Sequence, residues 1–232
     1  MADIEIAPAI NRRNESRVLD LDAGGGRLVA IFDGSGSWGS GLETAAWVQS
    51  RLAEAWKRSP PADAAKLVLD FEAAANAIPD DLKDSEWGLE PTWAHDFWFA
   101  AVLVLGRRVH VITDGSYGAL RFGSREVISL YEPRTWVMEQ VAAGILTEAE
   151  ALEHPLRKVL TRGAVPTGPV EAYLVEPVEL APGEGVVIAD LDLFRVLQKE
   201  PVESWAKLSA ARLQALGTKD PVIRIAEGFP AA

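Results

Sequence analysis

Apolar residues follow two periods along this chain. Leu28-Val-Ala-Ile-Phe32 is an unbroken apolar run ending at Asp33-Gly34, which predicts a buried strand entering a turn. A glycine-serine loop comes next. The apolar positions Leu42, Ala45, Ala46, Val48, Leu52 and Trp56 then recur at helical spacing, so an amphipathic helix is expected from Leu42 to Trp56. Ala64 to Ala77 reads as a second helix. Phe97–Leu105 and Val109–Thr113, separated by Gly106-Arg-Arg108, have the pattern of an antiparallel hairpin. Ala119–Phe122 and Glu126–Leu130, divided by Gly123-Ser124, predict another. Between Pro133 and Leu160 the residues favour helix, with Thr147-Glu-Ala-Glu150 as a start carrying acids in its first turn. Val170–Val175, Val186–Ala189 and Val222–Ala226 are expected strands, and Leu191–Gln198 and Glu203–Leu216 expected helices. Hairpins with helices grouped between them predict an α+β layered sandwich rather than a doubly wound parallel sheet.

Composition narrows the partners. The chain has 232 residues, 34 acidic against 23 basic, a formal charge of −11 and no cysteine. That length suits one domain spanning 1–232 with a full buried core. Disulfides and cysteine-held metals are excluded. The negative charge disfavours capture by nucleic acid or by an anionic membrane, since both call for clustered Lys and Arg. Met1 to Ile10 carries Asp3 and Glu5 and no basic start before an apolar stretch, so no secretory signal is expected. The longest apolar run, Phe97–Leu105, falls far short of the roughly 18–20 residues that span a bilayer. A cytoplasmic location is the expectation.

Candidate chemistry lies where strands end. Asp33, Asp114 and Asp190 each close an apolar β run, and Asp220 stands directly ahead of Pro221-Val-Ile-Arg-Ile225. If those strands are neighbours, three or four carboxylates converge at one end of a sheet, and a hard divalent cation would relieve their repulsion. Two such ions would acidify a bridging water for attack on phosphorus. Each aspartate also has a plainer use, because Asp is favoured in turns, and Asp114-Gly115 fits that use best. A competing motif, Gly34-Ser-Gly36-Ser-Trp-Gly39, follows a strand and precedes a helix, as the dinucleotide-binding fingerprint does. The acidic ribose ligand expected about 20 residues on would fall inside the helix, near Glu54.

Taken in order, these residues resemble the metal-dependent type 2C protein serine/threonine phosphatases, the PPM family. Asn11-Arg12-Arg13-Asn14-Glu15-Ser16 resembles the family's Arg-x-x-Asn-Glu-Asp element, and Ile31-Phe-Asp33-Gly34-Ser35-Gly36 its Val-Phe-Asp-Gly-His-Gly. Ile112-Thr-Asp114-Gly-Ser116 is similar to Val-Gly-Asp-Ser-Arg, and Ala143-Gly-Ile-Leu through Glu153-His-Pro-Leu-Arg157 to Leu160-Thr-Arg162 resembles the stretch after the family's flap. Pro182-Gly183 through Asp190 resembles Pro-Gly-Asp-x-x-Leu-Leu-x-Ser-Asp-Gly, and Lys219-Asp220-Pro-Val-Ile the closing Asp-Asn-x-Thr.

The resemblance implies a four-layer α-β-β-α sandwich, two antiparallel sheets flanked by helices. It implies a site for two Mg²⁺ or Mn²⁺ ions. Asp33 would bridge the ions with the Gly34 carbonyl beside it, Asp190 and Asp220 would complete one shell, and Glu15 would hold the other ion through water. Arg12 or Arg13 would reach the substrate phosphate. The implied reaction is in-line attack by water on a phosphoserine or phosphothreonine of a protein substrate, with Asp33 and Asp190 as the catalytic carboxylates and a serine/threonine kinase as candidate partner. The chain departs from the family pattern at several positions. Ser35 replaces a histidine proposed as proton donor, Asn11 stands where the phosphate-binding arginine lies, Leu191 replaces a glycine, and Phe194 replaces a carboxylate that helps bind a third ion.

Three functional readings remain. The first is a metal-dependent phosphoprotein phosphatase. The second is a catalytically weak or inactive relative acting as a phosphoprotein- or kinase-binding module, and the third is a nucleotide binder using the glycine loop. His95, His110 and His154 are too scattered for a zinc site. Trp87, Trp93 and Trp98 read as packing residues, and Asp80 to Glu86 as a solvated acidic segment.

Overall fold

The apolar runs build two facing antiparallel sheets in a computed structural model of the chain, which describes residues 3–7, 16–23, 26–34, 40–60, 63–78, 97–123, 125–161, 170–205, 208–216 and 221–226. The strands are β1 (Asp3–Ala7), β2 (Ser16–Ala23), β3 (Gly26–Gly34), β4 (Phe97–Leu105), β5 (Arg108–Thr113), β6 (Tyr117–Phe122), β7 (Val127–Tyr131), β8 (Tyr173–Leu174), β9 (Val178–Glu179), β10 (Gly185–Asp190) and β11 (Val222–Ala226). The helices are α1 (Ser40–Arg58), α2 (Ala64–Asn76), α3 (Trp136–Ala142), α4 (Glu148–Glu153), α5 (Leu191–Leu197), α6 (Val202–Trp205) and α7 (Ala210–Ala215). One sheet has the order β2-β3-β4-β5-β8, with β9 also on β5; the other runs β1-β11-β10-β6-β7.

Alternation along the strands sorts their side chains into three apolar layers. Val29 and Ile31 of β3 and Val102 of β4 meet Val186 and Ile188 of β10 and Ile223 of β11 between the sheets. Leu28, Ala30 and Phe32 face the other way, onto α1 and α2. Val187 and Ala189 face outward onto Phe194 of α5 and Trp205 of α6. Strands covered on both faces show no polar alternation, which is why β3, β4 and β10 read as continuous apolar runs. The result is the expected four-layer α-β-β-α sandwich.

Each helical layer has its own anchor. Asp63 caps α2 by accepting from the Lys66 amide at 2.9 Å, and Phe71 of α2 stacks on Phe99 of β4 with ring centroids 3.6 Å apart. On the other side Phe122 meets Trp205 at 5.1 Å. Glu5 of β1 accepts from the first amide of α7, Ala210, at 2.9 Å and pairs with the buried Arg224 of β11 at 3.4 Å. The edge strand and the last helix are thereby tied to the neighbouring strand β11.

The structure differs from expectation at four places. Strands β1 and β2 are not among those expected: both lie on sheet edges, and Asp3-Ile-Glu-Ile6 and Leu19-Asp-Leu-Asp22 carry the weaker alternating pattern of a half-buried strand in place of a continuous apolar run. The helix expected between Pro133 and Leu160 is two short ones, because the chain reverses at Gly144, whose φ is +72°, and restarts at a capping box made by Thr147 and Glu150. The helix expected over Glu203–Leu216 is likewise divided into α6 and α7, the second capped by Ser209. Of the strand expected at Val170–Val175, Tyr173–Leu174 is in register with β5, and the Val175 amide donates to Val111 O at 2.9 Å.

Gly118 of β6 is a position where a side chain has no room, since an added Cβ would overlap the Phe194 ring. Gly123 is not, its Cβ meeting the Glu184 side chain at ordinary contact distances, 3.6 Å to Cγ and 3.9 Å to Oε1. Gly118→Ala should therefore lower unfolding free energy in a urea titration by about 1–3 kcal/mol, and Gly123→Ala should leave it within about 0.5 kcal/mol.

Candidate functional site

Strand parity places the two candidate catalytic carboxylates. Asp33 is two residues beyond Ile31 and so lies on the intersheet face of β3; Asp190 is two residues beyond Ile188 and lies on the intersheet face of β10. The strands belong to opposite sheets, so the two residues lie on facing sides of the intersheet layer. Trp98 of β4 links them, being the cross-strand partner of Asp33 and a wall of the cavity that holds Asp190. That cavity has a volume of about 190 Å³ and is bounded by Trp98, Tyr117, Lys158, Leu160, Asp190 and Leu191.

Both carboxylates are oriented by neighbours. Asp33 is 7% exposed and accepts a hydrogen bond from Ser16 Oγ at 2.6 Å, the two residues being register partners on β2 and β3. Asp190 is the N-cap of α5, its Oδ1 accepting from the amides of Asp192 at 2.8 Å and Leu193 at 3.0 Å. The sequence marks the second arrangement but not the first: Asp190 stands directly before the helix expected from Leu191, where an N-cap belongs, whereas Ser16 is seventeen residues from Asp33.

Asp114 has a different environment. It is 1% exposed, with Oδ1 accepting from the Ser116 amide at 3.0 Å and Ser116 Oγ at 2.5 Å. Its Oδ2 accepts from the Phe99 amide at 2.9 Å. Three protein donors thus hold this carboxyl inside the turn between β5 and β6. Burial pushes its pKa up to about 7, against the pull of those donors.

Among the described residues, no group of three His, Cys, Asp or Glu side chains comes together to hold an ion. Glu15, Asp220, Arg12 and Arg13 lie outside the described residues, as do Ser35 to Gly39 of the glycine loop, Trp87, Trp93, His95 and the acidic segment Asp80 to Glu86. Gly34 ends β3 beside Asp33. His154 packs against Trp136 with centroids 5.0 Å apart and accepts from the Leu156 amide. Burial, with Arg108 nearby, holds the His110 pKa below its usual value. No motif in the sequence singles out Lys158. Its Nζ lies 2.7 Å from Asp192 Oδ2, at the rim of the cavity.

No family model and no curated protein matches the chain. Solved structures do. The S. agalactiae serine/threonine phosphatase is 18% identical with a TM-score of 0.71, covering 98% of this chain and 100% of its own. The PPM Ser-Thr phosphatase MsPP from Mycobacterium smegmatis, in complex with cacodylate, is 23% identical with a TM-score of 0.63, covering 98% of each chain. The catalytic domain of the phosphatase PstP, in complex with 2 manganese ions, is 21% identical with a TM-score of 0.56, covering 97% of this chain and 96% of its own. The chain therefore has the fold of the PPM-type serine/threonine phosphatases, as its motifs led us to expect.

Asp114 makes stability depend on pH. Its folded pKa of about 7 lies above the ordinary 3.8, so the native state retains a proton that the unfolded chain has released between these values. The stabilisation from this group is full below about pH 4 and is lost as pH rises through about 7. In urea titrations across that range, the stability difference between wild type and Asp114→Asn should shrink towards neutral pH; a constant difference would contradict the assignment.

Proposed function

We propose that this chain is a divergent PPM-type phosphatase, one domain spanning residues 1–232, that hydrolyses phosphoserine or phosphothreonine in protein substrates with two Mg²⁺ or Mn²⁺ ions. The observation that carries the proposal is the placement of Asp33 and Asp190 at the ends of strands in opposite sheets, both on the intersheet face, with Trp98 in register with Asp33 and in the wall of the cavity that holds Asp190. Both present hard carboxylate oxygens, the donor chemistry that such ions prefer, so the described part of the site fits them. Asp33 with the Gly34 carbonyl, Asp190, Asp220 and Glu15 would hold the ions. When bound, the ions would acidify a water for attack on phosphorus.

The chain's own side chains orient the reactants. Ser16 Oγ fixes the rotation of the Asp33 carboxylate, and the two amides at the start of α5 fix that of Asp190. Arg12 or Arg13 would bind the substrate phosphate. We propose a cytoplasmic signalling role, opposing a serine/threonine kinase; among the described residues no helix is long and apolar enough to cross a membrane. A second reading rests on Ser35 and Asn11, which stand where the resemblance calls for a proton donor and a phosphate-binding arginine. On that reading the domain binds phosphoprotein with little turnover.

Phosphate release from a phosphoserine peptide across a Mn²⁺ titration separates the two. The phosphatase reading expects saturable metal dependence and a drop in kcat/KM of at least about a hundredfold in Asp33→Asn and in Asp190→Asn, because the ions contribute several kcal/mol to the transition state. Equal, metal-independent traces from all three proteins would remove the enzyme and leave the binding module.

A further inference from the structure

The cavity beside Asp190 contains two carboxylates, those of Asp190 and Asp192, and Lys158 is the only cation among the described residues that line it. A phosphomonoester brings up to two further negative charges, so a phosphoryl group entering here requires positive charge from the chain as well as from any ion.

Lys158 is placed to supply it. The segment that carries it is pinned to the start of α3: the Trp136 amide donates to Val159 O at 2.8 Å and the Thr161 amide to Arg134 O at 2.9 Å, with Leu160 bridged to Thr135. The backbone is thus fixed just beyond Lys158 while its side chain reaches across to α5. There it meets Asp192, whose own amide is held by Asp190 Oδ1. The ammonium therefore sits one partner away from the candidate catalytic carboxylate. Its pair with Asp192 is half-exposed on both sides, 53% and 41%, and exposed pairs contribute little to stability. A dianion in the cavity offers a stronger partner than Asp192 does, because hydrogen bonds between two ionised groups gain with charge.

We propose that this cavity receives the phosphoryl group of a phosphomonoester and that Lys158, exchanging Asp192 for the phosphate oxygens, binds it there in addition to Arg12 or Arg13. The inference rests on the phosphatase reading for the source of the phosphoryl group, but the binding itself is separately measurable. Lys158 would then supply charge that Asn11 does not, and Asp192 would act as its holder while the cavity lacks phosphate.

The opposing possibility is that Lys158 and Asp192 only staple the segment after α4 to α5. Calorimetric titration of inorganic phosphate into the full chain in Mg²⁺ distinguishes the two, using wild type, Lys158→Met, Lys158→Arg and Asp192→Asn. Lys158→Met should weaken phosphate binding about tenfold or more, the usual weight of a charged hydrogen bond. Asp192→Asn, which frees the ammonium, should tighten it by about threefold, and Lys158→Arg should remain within about threefold of wild type. A staple would make Lys158→Met and Asp192→Asn change affinity in the same direction, and that result overturns the proposal. So does an unchanged affinity in Lys158→Met, or no binding by wild type at millimolar phosphate. Peptide turnover on the same samples keeps the readings apart. Lys158-dependent phosphate binding without turnover would end the phosphatase reading and leave this one standing; turnover with an unaltered KM in Lys158→Met would do the reverse.

Discussion

The packing of two antiparallel sheets against each other is the constraint on which the candidate site depends. Val29, Ile31 and Val102 on one side and Val186, Ile188 and Ile223 on the other share a fully apolar layer. Once these residues face inward, the period of two leaves Asp33 and Asp190 no choice of face. A one-residue slip of β3 or β10 would turn its aspartate outward to the helices and bring the neighbouring apolar residue into its place. The same burial that stabilises the fold therefore aims the chemistry.

The outer layers support that arrangement unequally. α1 and α2 cover the six-stranded sheet through Phe71, stacked on Phe99, next to the strand position occupied by Trp98. The five-stranded sheet is covered by shorter helices, and one of these, α5, begins at Asp190 itself. Its Phe194 ring lies over Gly118, and Gly118 is the cross-strand partner of Ala189. The helix that orients Asp190 is thus seated by a contact one residue from it. Packing and site geometry are coupled more closely on this side of the sandwich than on the other.

Three strand-end aspartates with similar sequence surroundings have three electrostatic outcomes. Asp33 keeps a hydroxyl partner on a neighbouring strand, Asp190 caps a helix, and Asp114 is enclosed by three donors with its pKa pushed up to about 7. Proximity in sequence to a buried strand does not distinguish them. What sets Asp114 apart is the depth of its burial, because desolvation raises its pKa against the hydrogen bonds that lower it. Asp114 accordingly behaves as a turn residue, the use that Asp114-Gly115 suggested by type.

The sequence by itself determined the sandwich class, the central strands and the position of Asp33 and Asp190 at strand ends, because residues buried on both faces leave continuous apolar runs that no solvent-facing segment reproduces. It also located the start of α4 at Thr147, where capping is a matter of residues three apart. Edge strands β1 and β2 left no such trace, since half of each faces solvent and tolerates charge. Ser16 beside Asp33, Lys158 beside Asp192 and the Phe99 amide on Asp114 join residues 17, 34 and 15 positions apart. Only the tertiary structure decided those contacts, because a hydrogen bond or ion pair between distant residues depends on how whole layers are stacked, and no local period encodes the stacking.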